Sequence, residues 1–262
     1  KQTSEIAVTM DKLSLPRGQM ETDYQKMLRS LYITLQQQIN ELENGQVEQA
    51  EYFTMWVHQI KTPIAALRLL LAEEEDERSQ EMWEELFSIE QYVEMALQFS
   101  RLSAKSTDFV IGEVSLDKVV REAIHKYARL FVRKKIKMEL SSIDTQVLTD
   151  EKWLEFVIEQ ILSNAIKYTA GGTISVYLKE EPEQETKELV IEDTGIGIAP
   201  EDLPRIFEKG YTGYNGHADK RSTGIGLYLC RKIMRKLSHE ITIESEIGVG
   251  TKVHLEMRSR DK

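Results

Sequence analysis

His58 stands in the run His58-Gln59-Ile60-Lys61-Thr62-Pro63, inside a stretch whose apolar residues recur at helical spacing. It lies two positions from Trp56 and two from Ile60, about 200° around a helix from each, so its imidazole points away from the apolar stripe. An outward imidazole that is largely neutral at pH 7 is a competent nucleophile toward a phosphoryl group. Thr62 sits one helical turn further on the same face, and Pro63 removes an interior hydrogen bond and favours a kink there. On position alone such a histidine is an ordinary surface residue. Its context singles it out.

A second set of residues suits a bound nucleotide. Asn164, Lys167 and Tyr168 share one helix face at i, i+3 and i+4, offering an oxygen for Mg²⁺, a cation for phosphate and an aromatic wall. Asp193-Thr194-Gly195-Ile196-Gly197-Ile198 follows a strand pattern, and its glycines allow the backbone to turn close to a ligand. Ser222-Thr223-Gly224-Ile225-Gly226-Leu227 opens a helix, whose free N–H groups and dipole favour phosphate. Between these runs, residues 207–221 are rich in Gly, Lys and Tyr, as a mobile lid is. Gly248-Val249-Gly250-Thr251 joins two strand patterns and reads equally as a hairpin turn. Neither a Walker A lysine motif nor a strand-GxGxxG-helix fingerprint occurs, which counts against P-loop and Rossmann folds.

The elements that must position these groups fall into distinct stretches. Residues 1–18 read as a linker ending in Pro16 and Gly18. From Glu21 to about Leu71 the spacing predicts a long helix, with Phe53, Trp56, Ile60, Ile64, Leu67 and Leu71 as the stripe of its second part. An acidic break at 73–77 leads to another helical stripe, Met82, Leu86, Ile89, Val93 and Ala96, and so to a helical hairpin. A lone hairpin covers both stripes poorly, so a homodimeric four-helix bundle is expected. From Phe109 the pattern alternates helices (116–134, 151–168, 225–236) with strands (136–140, 146–149, 173–179, 187–192, 240–246, 251–256), an α+β sandwich with helices on one face of a mixed sheet.

Composition agrees with globular domains. The 262 residues are 41% hydrophobic and 30% charged, and 34 Lys+Arg against 44 Asp+Glu leave a net charge of −10, which argues against a nucleic-acid binder. The single cysteine, Cys230, excludes an internal disulfide and reads as a small buried helix residue. No apolar run approaches the roughly 18 residues that a membrane span needs. The chain begins at Lys1 without a Met, as a fragment of something longer would.

Taken together and in order, HQIKTP, SNAIKY, DTGIGI, FEKGYTG and STGIGL resemble a sensor histidine kinase of a two-component system over residues 46–257. The stretches WVHQIKTPIAAL and EKGYTGYNG look most like the bacitracin-sensor, intramembrane-sensing subgroup. The resemblance implies a multidomain α and α+β chain: a membrane-proximal linker and signalling helix (1–45), a dimerisation and histidine-phosphotransfer hairpin (46–108) and a Bergerat-type ATP-binding α/β sandwich (109–262). It implies that His58 takes the ATP γ-phosphoryl group and passes it to an aspartate of a response regulator receiver domain. Thr62 would orient water for the reverse, phosphatase reaction. Asn164 would hold Mg²⁺, with Gln160 at the position of a second ligand; Lys167 would contact phosphate, Tyr168 would flank the nucleotide and Asp193 would accept the adenine amino group. Gly195 and Gly197 would admit the adenine, and the amides of Gly224, Ile225, Gly226 and Leu227 would bind phosphates. Ile198, Phe207, Gly210, Tyr211, Thr212, Thr223 and Thr251 complete the implied nucleotide contacts. The protein would be the cytoplasmic portion of a homodimer anchored in the bacterial cell membrane, with a membrane transporter as a further partner.

Departures from the family pattern sharpen the expectation. Gln59 follows the histidine where many relatives carry an acid, and it can hydrogen-bond an imidazole but cannot take its proton. This keeps open an ATP-binding scaffold or phosphatase with weak kinase activity. Gln160 replaces an Asn, and Ser222 replaces a Gly. Other Bergerat-type ATPases tend to carry a water-activating glutamate at the position of Gln160, so transfer to protein is favoured over hydrolysis. His125, His217, His239 and His254 lack ligand spacing and read as structural or surface residues, and the rings of Tyr211 and Tyr214 read either as nucleotide covers or as loop packing.

Overall fold

The computed structural model describes residues 16, 18–72, 76–103, 109–179, 186–213 and 223–258. Most of the expected linker, part of the acidic turn, Tyr214 and His217 in the expected lid, and Ser222 of the second glycine run lie outside these residues. The chain divides into two compact units, Lys1–Thr107 and Asp108–Lys262.

The first unit is a helical hairpin. Helix α1 (Gln19–Ala72) runs through Pro63, and helix α2 (Glu77–Ser103) follows. Asp76 starts α2 by accepting the Ser79 backbone N–H at 2.8 Å, and hydrogen bonds from the Ser79 side chain and backbone draw its carboxyl below the usual range. The seam consists of Val57 and Ile64 from α1 against Leu86, Val93 and Leu97 from α2, with Ile60 and Leu71 packed beside them. Lys61 bonds Glu94 at 2.7 Å and Arg68 pairs with Glu90, fixing the antiparallel register along its flank. The expected stripes are not buried throughout: Trp56 and Leu67 on α1 and Met82 and Ile89 on α2 remain exposed, and Val57 is buried in place of Trp56. The apolar arc of α1 is wider than one neighbouring helix covers, and the compact β-branched side chain takes the seam while the large ring lies on its flank.

The second unit is the expected sandwich of helices on a mixed sheet. A five-stranded sheet has the order β2 (Lys137–Leu140), β4 (Thr173–Lys179), β5 (Thr186–Asp193), β7 (Gly250–Arg258), β6 (Glu240–Glu246). β2 runs parallel to β4 and every other pair is antiparallel. Period-two alternation puts Ile174 and Val176, Leu189 and Ile191, and Val253, Leu255 and Met257 on one buried face. Helices α3 (Leu116–Lys126), α5 (Glu151–Tyr168) and α6 (Gly226–Lys236) form the opposing layer, with α5 between the other two.

The expected helix 116–134 is two helices, because Tyr127 breaks it with φ −98° and ψ 5° and α4 (Ala128–Arg133) starts afresh. Tyr127 is buried at 1% exposure and continues the buried series Leu116, Val119, Val120 and Ala123. Strand β1 (Gly112–Ser115) carries no readable alternation in four residues, and it pairs with β3 (Gln146–Thr149) in a separate two-stranded sheet.

Candidate nucleotide site and exposed histidine

Helix α5 builds one wall of the site. Asp150 caps it by accepting the N–H groups of Lys152 and Trp153 at 3.0 and 3.2 Å. Leu154, Val157, Ile158, Ile161 and Leu162 bury the core face, which leaves Gln160, Asn164, Lys167 and Tyr168 half-exposed along another. At its C-terminus the Lys134 ammonium donates to the carbonyls of Ile166 and Lys167 at 2.8 and 3.5 Å, satisfying free acceptors and matching the helix dipole. The Lys167 ammonium lies 5.2 Å from the Tyr168 ring centroid.

Asp193 ends β5 on the same strand face as Leu189 and Ile191, so alternation delivers its carboxylate to the buried side of the sheet. Burial pushes its carboxyl up to about 6, against the opposing backbone hydrogen bonds from Gly195 and Thr251. The Gly195 N–H donates to it at 2.8 Å. The following loop is tied at several points: the Ile196 N–H reaches the Tyr168 carbonyl at 3.2 Å, joining it to the end of α5, and the Ile198 N–H donates to Ser245 Oγ at 2.8 Å. Ser245 donates in turn to the Gly250 carbonyl at 2.8 Å and lies 2.9 Å from Thr251 Oγ1. Gly197 has φ +71°, and a Cβ there would strike the Glu246 carbonyl, so only glycine permits this close pass.

The second glycine run meets α5 from the other side. Gly226, at the first position of α6, leaves room for the Gln160 carboxamide, whose Nε2 lies 2.7 Å from where a Cβ would be. Ile225 precedes the helix without a side-chain cap, so the N–H groups of the first turn remain available to an anion. Gly224 has φ +65°, and its carbonyl accepts the Gly210 N–H at 2.9 Å. That bond joins the glycine run to the stretch holding Phe207, Gly210, Tyr211 and Thr212. Phe207 packs under the Arg231 guanidinium, 5.1 Å from its ring centroid, and Thr223 Oγ1 accepts the Ile225 N–H at 3.4 Å.

The structure therefore joins Gln160 to Gly226, Tyr168 to Gly195 and Ile196, and Asp193 to Gly195 and Thr251, with Asn164 and Lys167 on the same α5 as Gln160 and Tyr168. The Tyr211 hydroxyl donates to Asp202 at 2.5 Å. Ser245 and Lys134 escaped the sequence reading. Ser245 continues the core-facing series of Ile241 and Ile243, and a hydroxyl in that phase was the available signal. His239 is buried against Thr149 at 3.0 Å, and His254 pairs with Glu188 at 2.6 Å.

In the first unit His58 and Gln59 are exposed on α1, and the Thr62 hydroxyl donates to the His58 carbonyl at 3.3 Å. Among the described residues none hydrogen-bonds the His58 imidazole, and no group of three or more His, Cys, Asp or Glu is placed to hold a metal ion. No helix among them is long and apolar enough to cross a membrane.

Comparison with known proteins agrees with this geometry. Residues 149–261 match the histidine kinase-, DNA gyrase B- and HSP90-like ATPase family. The chain is 35% identical over 231 residues to the sensor histidine kinase YxdK of Bacillus subtilis (strain 168), covering 88% of this chain and 71% of that protein. It is 36% identical over 198 residues to the sensor protein BceS of the same organism, covering 75% of this chain and 58% of BceS. The crystal structure of full-length ShkA in complex with AMPPNP shares the fold at a TM-score of 0.58 and 20% identity, over 81% of this chain and 47% of that one. With its ATPase-type unit behind a helical hairpin, the chain belongs to the sensor histidine kinases, the ATP-dependent protein-histidine kinases.

Proposed function

We propose that His58 is the phosphoacceptor, that the α5, Asp193 and α6 site binds the ATP, and that the phosphoryl group then passes to an aspartate of a response regulator. The observation that carries this reading is one convergence: a buried carboxylate at a strand end, a carboxamide and cation face on α5, and an uncapped helix N-terminus. A buried acceptor suits the adenine amino group, and unpaired helix N–H groups suit the phosphates. Lys167 adds a cation on the same side as Asn164.

The donor set also fits Mg²⁺. Asn164 and Gln160 offer hard carboxamide oxygens one turn apart without a cluster of acids, as suits an ion that keeps waters and takes substrate phosphate oxygens. When bound, that ion neutralises charge on the transferring phosphoryl group. His58 forms the N–P bond with one ring nitrogen while the bond to ADP breaks, and the other ring nitrogen gives up its proton. Gln59 has a carboxamide that can hydrogen-bond an imidazole but cannot receive that proton, which leaves to solvent or to an acceptor on a partner. The Thr62 hydroxyl, held by its bond to the His58 carbonyl, keeps lone pairs for a water that attacks the regulator's phosphoaspartate.

Exposed Trp56, Leu67 and Leu70 on α1 and Met82 and Ile89 on α2 are a second apolar flank that a second copy covers, giving the homodimeric bundle. Membrane anchoring ahead of α1 and a transporter partner follow from the likeness of WVHQIKTPIAAL and EKGYTGYNG to the intramembrane-sensing subgroup. The test is incubation with Mg²⁺ and γ-labelled ATP. Acid-labile, alkali-stable label on the native chain that is absent from His58→Ala is the expected result. ATP binding without label replaces the kinase reading with that of a scaffold or phosphatase.

A further inference from the structure

Asp202 belongs to no glycine run and to none of the groups assigned above, yet it is 9% exposed and organises the stretch beside the phosphate end of the site. Its main-chain carbonyl accepts the N–H groups of Arg205 and Ile206 at 2.8 and 3.1 Å, closing a turn. Its Oδ1 accepts the Tyr211 hydroxyl at 2.5 Å, and Oδ2 lies 2.8 Å from where a Cβ on Gly213 (φ +60°) would stand. The Arg205 guanidinium covers the Tyr211 ring at 4.2 Å. One buried carboxylate thus holds Tyr211 and packs closely against Gly213.

That segment backs the second glycine run. A Cβ on Gly224 would lie 2.6 Å from the Tyr211 carbonyl oxygen and 2.7 Å from its nitrogen, and the Gly210 N–H bonds the Gly224 carbonyl. Two residues later Gly226 meets Gln160 on α5. A continuous series of contacts therefore runs from Asp202 through Tyr211 to the start of α6. It bypasses Asp193, whose partners are Gly195 and Thr251.

We infer that Asp202 is a positioning residue which, through the Tyr211 hydroxyl, fixes the Gly210–Gly224 junction and so sets affinity for the triphosphate while leaving adenine recognition untouched. This rests on the nucleotide site proposed above. The acceptor, more than the charge, is what Tyr211 requires, so a neutral carboxamide at 202 substitutes for the carboxylate.

The experiment is calorimetric titration of the 262-residue chain with ATP and, separately, with adenosine, for Tyr211→Phe, Asp202→Ala, Asp202→Asn and Asp193→Asn. Loss of one hydrogen bond of ordinary net strength gives an expected weakening for ATP of roughly five- to tenfold in Tyr211→Phe and Asp202→Ala. Asp202→Asn is expected to bind ATP within about threefold of the native chain, and adenosine affinity is expected to stay within about twofold in all three. Tyr211→Phe keeps the ring beneath Arg205 and carries the test if Asp202→Ala does not fold. Parallel losses for ATP and adenosine in Tyr211→Phe, or unchanged ATP affinity there, overturn the inference. Unchanged binding of both ligands by Asp193→Asn overturns instead the nucleotide site on which it rests.

Discussion

The two units solve opposite problems with their reactive groups. In the hairpin, His58 is exposed on one face of α1, and the residues that hold the helix, Val57 and Ile64, lie in a thin seam with Leu86, Val93 and Leu97. In the α/β unit, Asp193 is 8% exposed at the edge of a thick core in which Leu154, Leu162, Leu189, Leu229 and Leu255 are wholly buried. Under the proposed roles, a nucleophile that must meet successive partners needs access, whereas a carboxylate that recognises a base gains strength from a site with little water. The thin core leaves apolar flanks that a further surface must cover, and the thick one is self-sufficient. Stability and chemistry should therefore respond to different perturbations in each unit.

The largest effect expected is from His58→Ala, which should abolish acid-labile labelling while ATP affinity measured by calorimetry stays within about twofold, since no part of the nucleotide site is altered. Next, Leu162→Ala in the wholly buried layer of α5 should lower stability by about 3 kcal/mol, read as a lower denaturant midpoint for the α/β unit. An equal loss from Leu70→Ala on the exposed flank, measured at high dilution, would break the contrast between thick and thin cores.

The pH response separates the units further. Asp193 has its carboxyl raised from 3.8 to about 6, so the native state holds this proton more tightly than the unfolded chain. The sign follows: between pH 3.8 and about 6 unfolding releases the proton, and this group's contribution to stability falls as pH rises through that window. Adenosine affinity should change oppositely, weakening about tenfold or less below pH 6 as the acceptor is protonated, and Asp193→Asn should remove the dependence in calorimetric titration. A smaller effect concerns the hairpin. Dilution of the native chain should lower its helical melting temperature by a few degrees, as mass action requires of a bundle made from two copies, and leave the α/β unit unmoved in a thermal scan. The smallest is Gln59→Glu, which should raise the labelling rate by a few-fold by supplying a proton acceptor beside His58.

Much of this was legible in the sequence because it is periodic. The strands at 173–179 and 240–246, the α5 face of Asn164, Lys167 and Tyr168, and the exposed position of His58 follow from spacings of 2 and 3.6 residues. Places where a large side chain had a choice of surroundings were not legible in that way. Val57 took the seam that the stripe assigned to Trp56, and Tyr127 split a helix whose apolar spacing continues across it. Strand β1 was too short to show any period.

The sequence by itself determined the order of elements, the glycines that permit φ above zero at Gly197 and Gly224, and the residue types offered to a nucleotide. Only the tertiary structure decided which of those residues meet. Gln160 against Gly226, Ser245 beneath Ile198 and Asp202 on Tyr211 join segments brought together by strand register and helix packing. The physical reason is that periodicity fixes the direction in which a side chain points, whereas a contact between distant segments depends on the register and packing of whole elements, which local spacing does not encode.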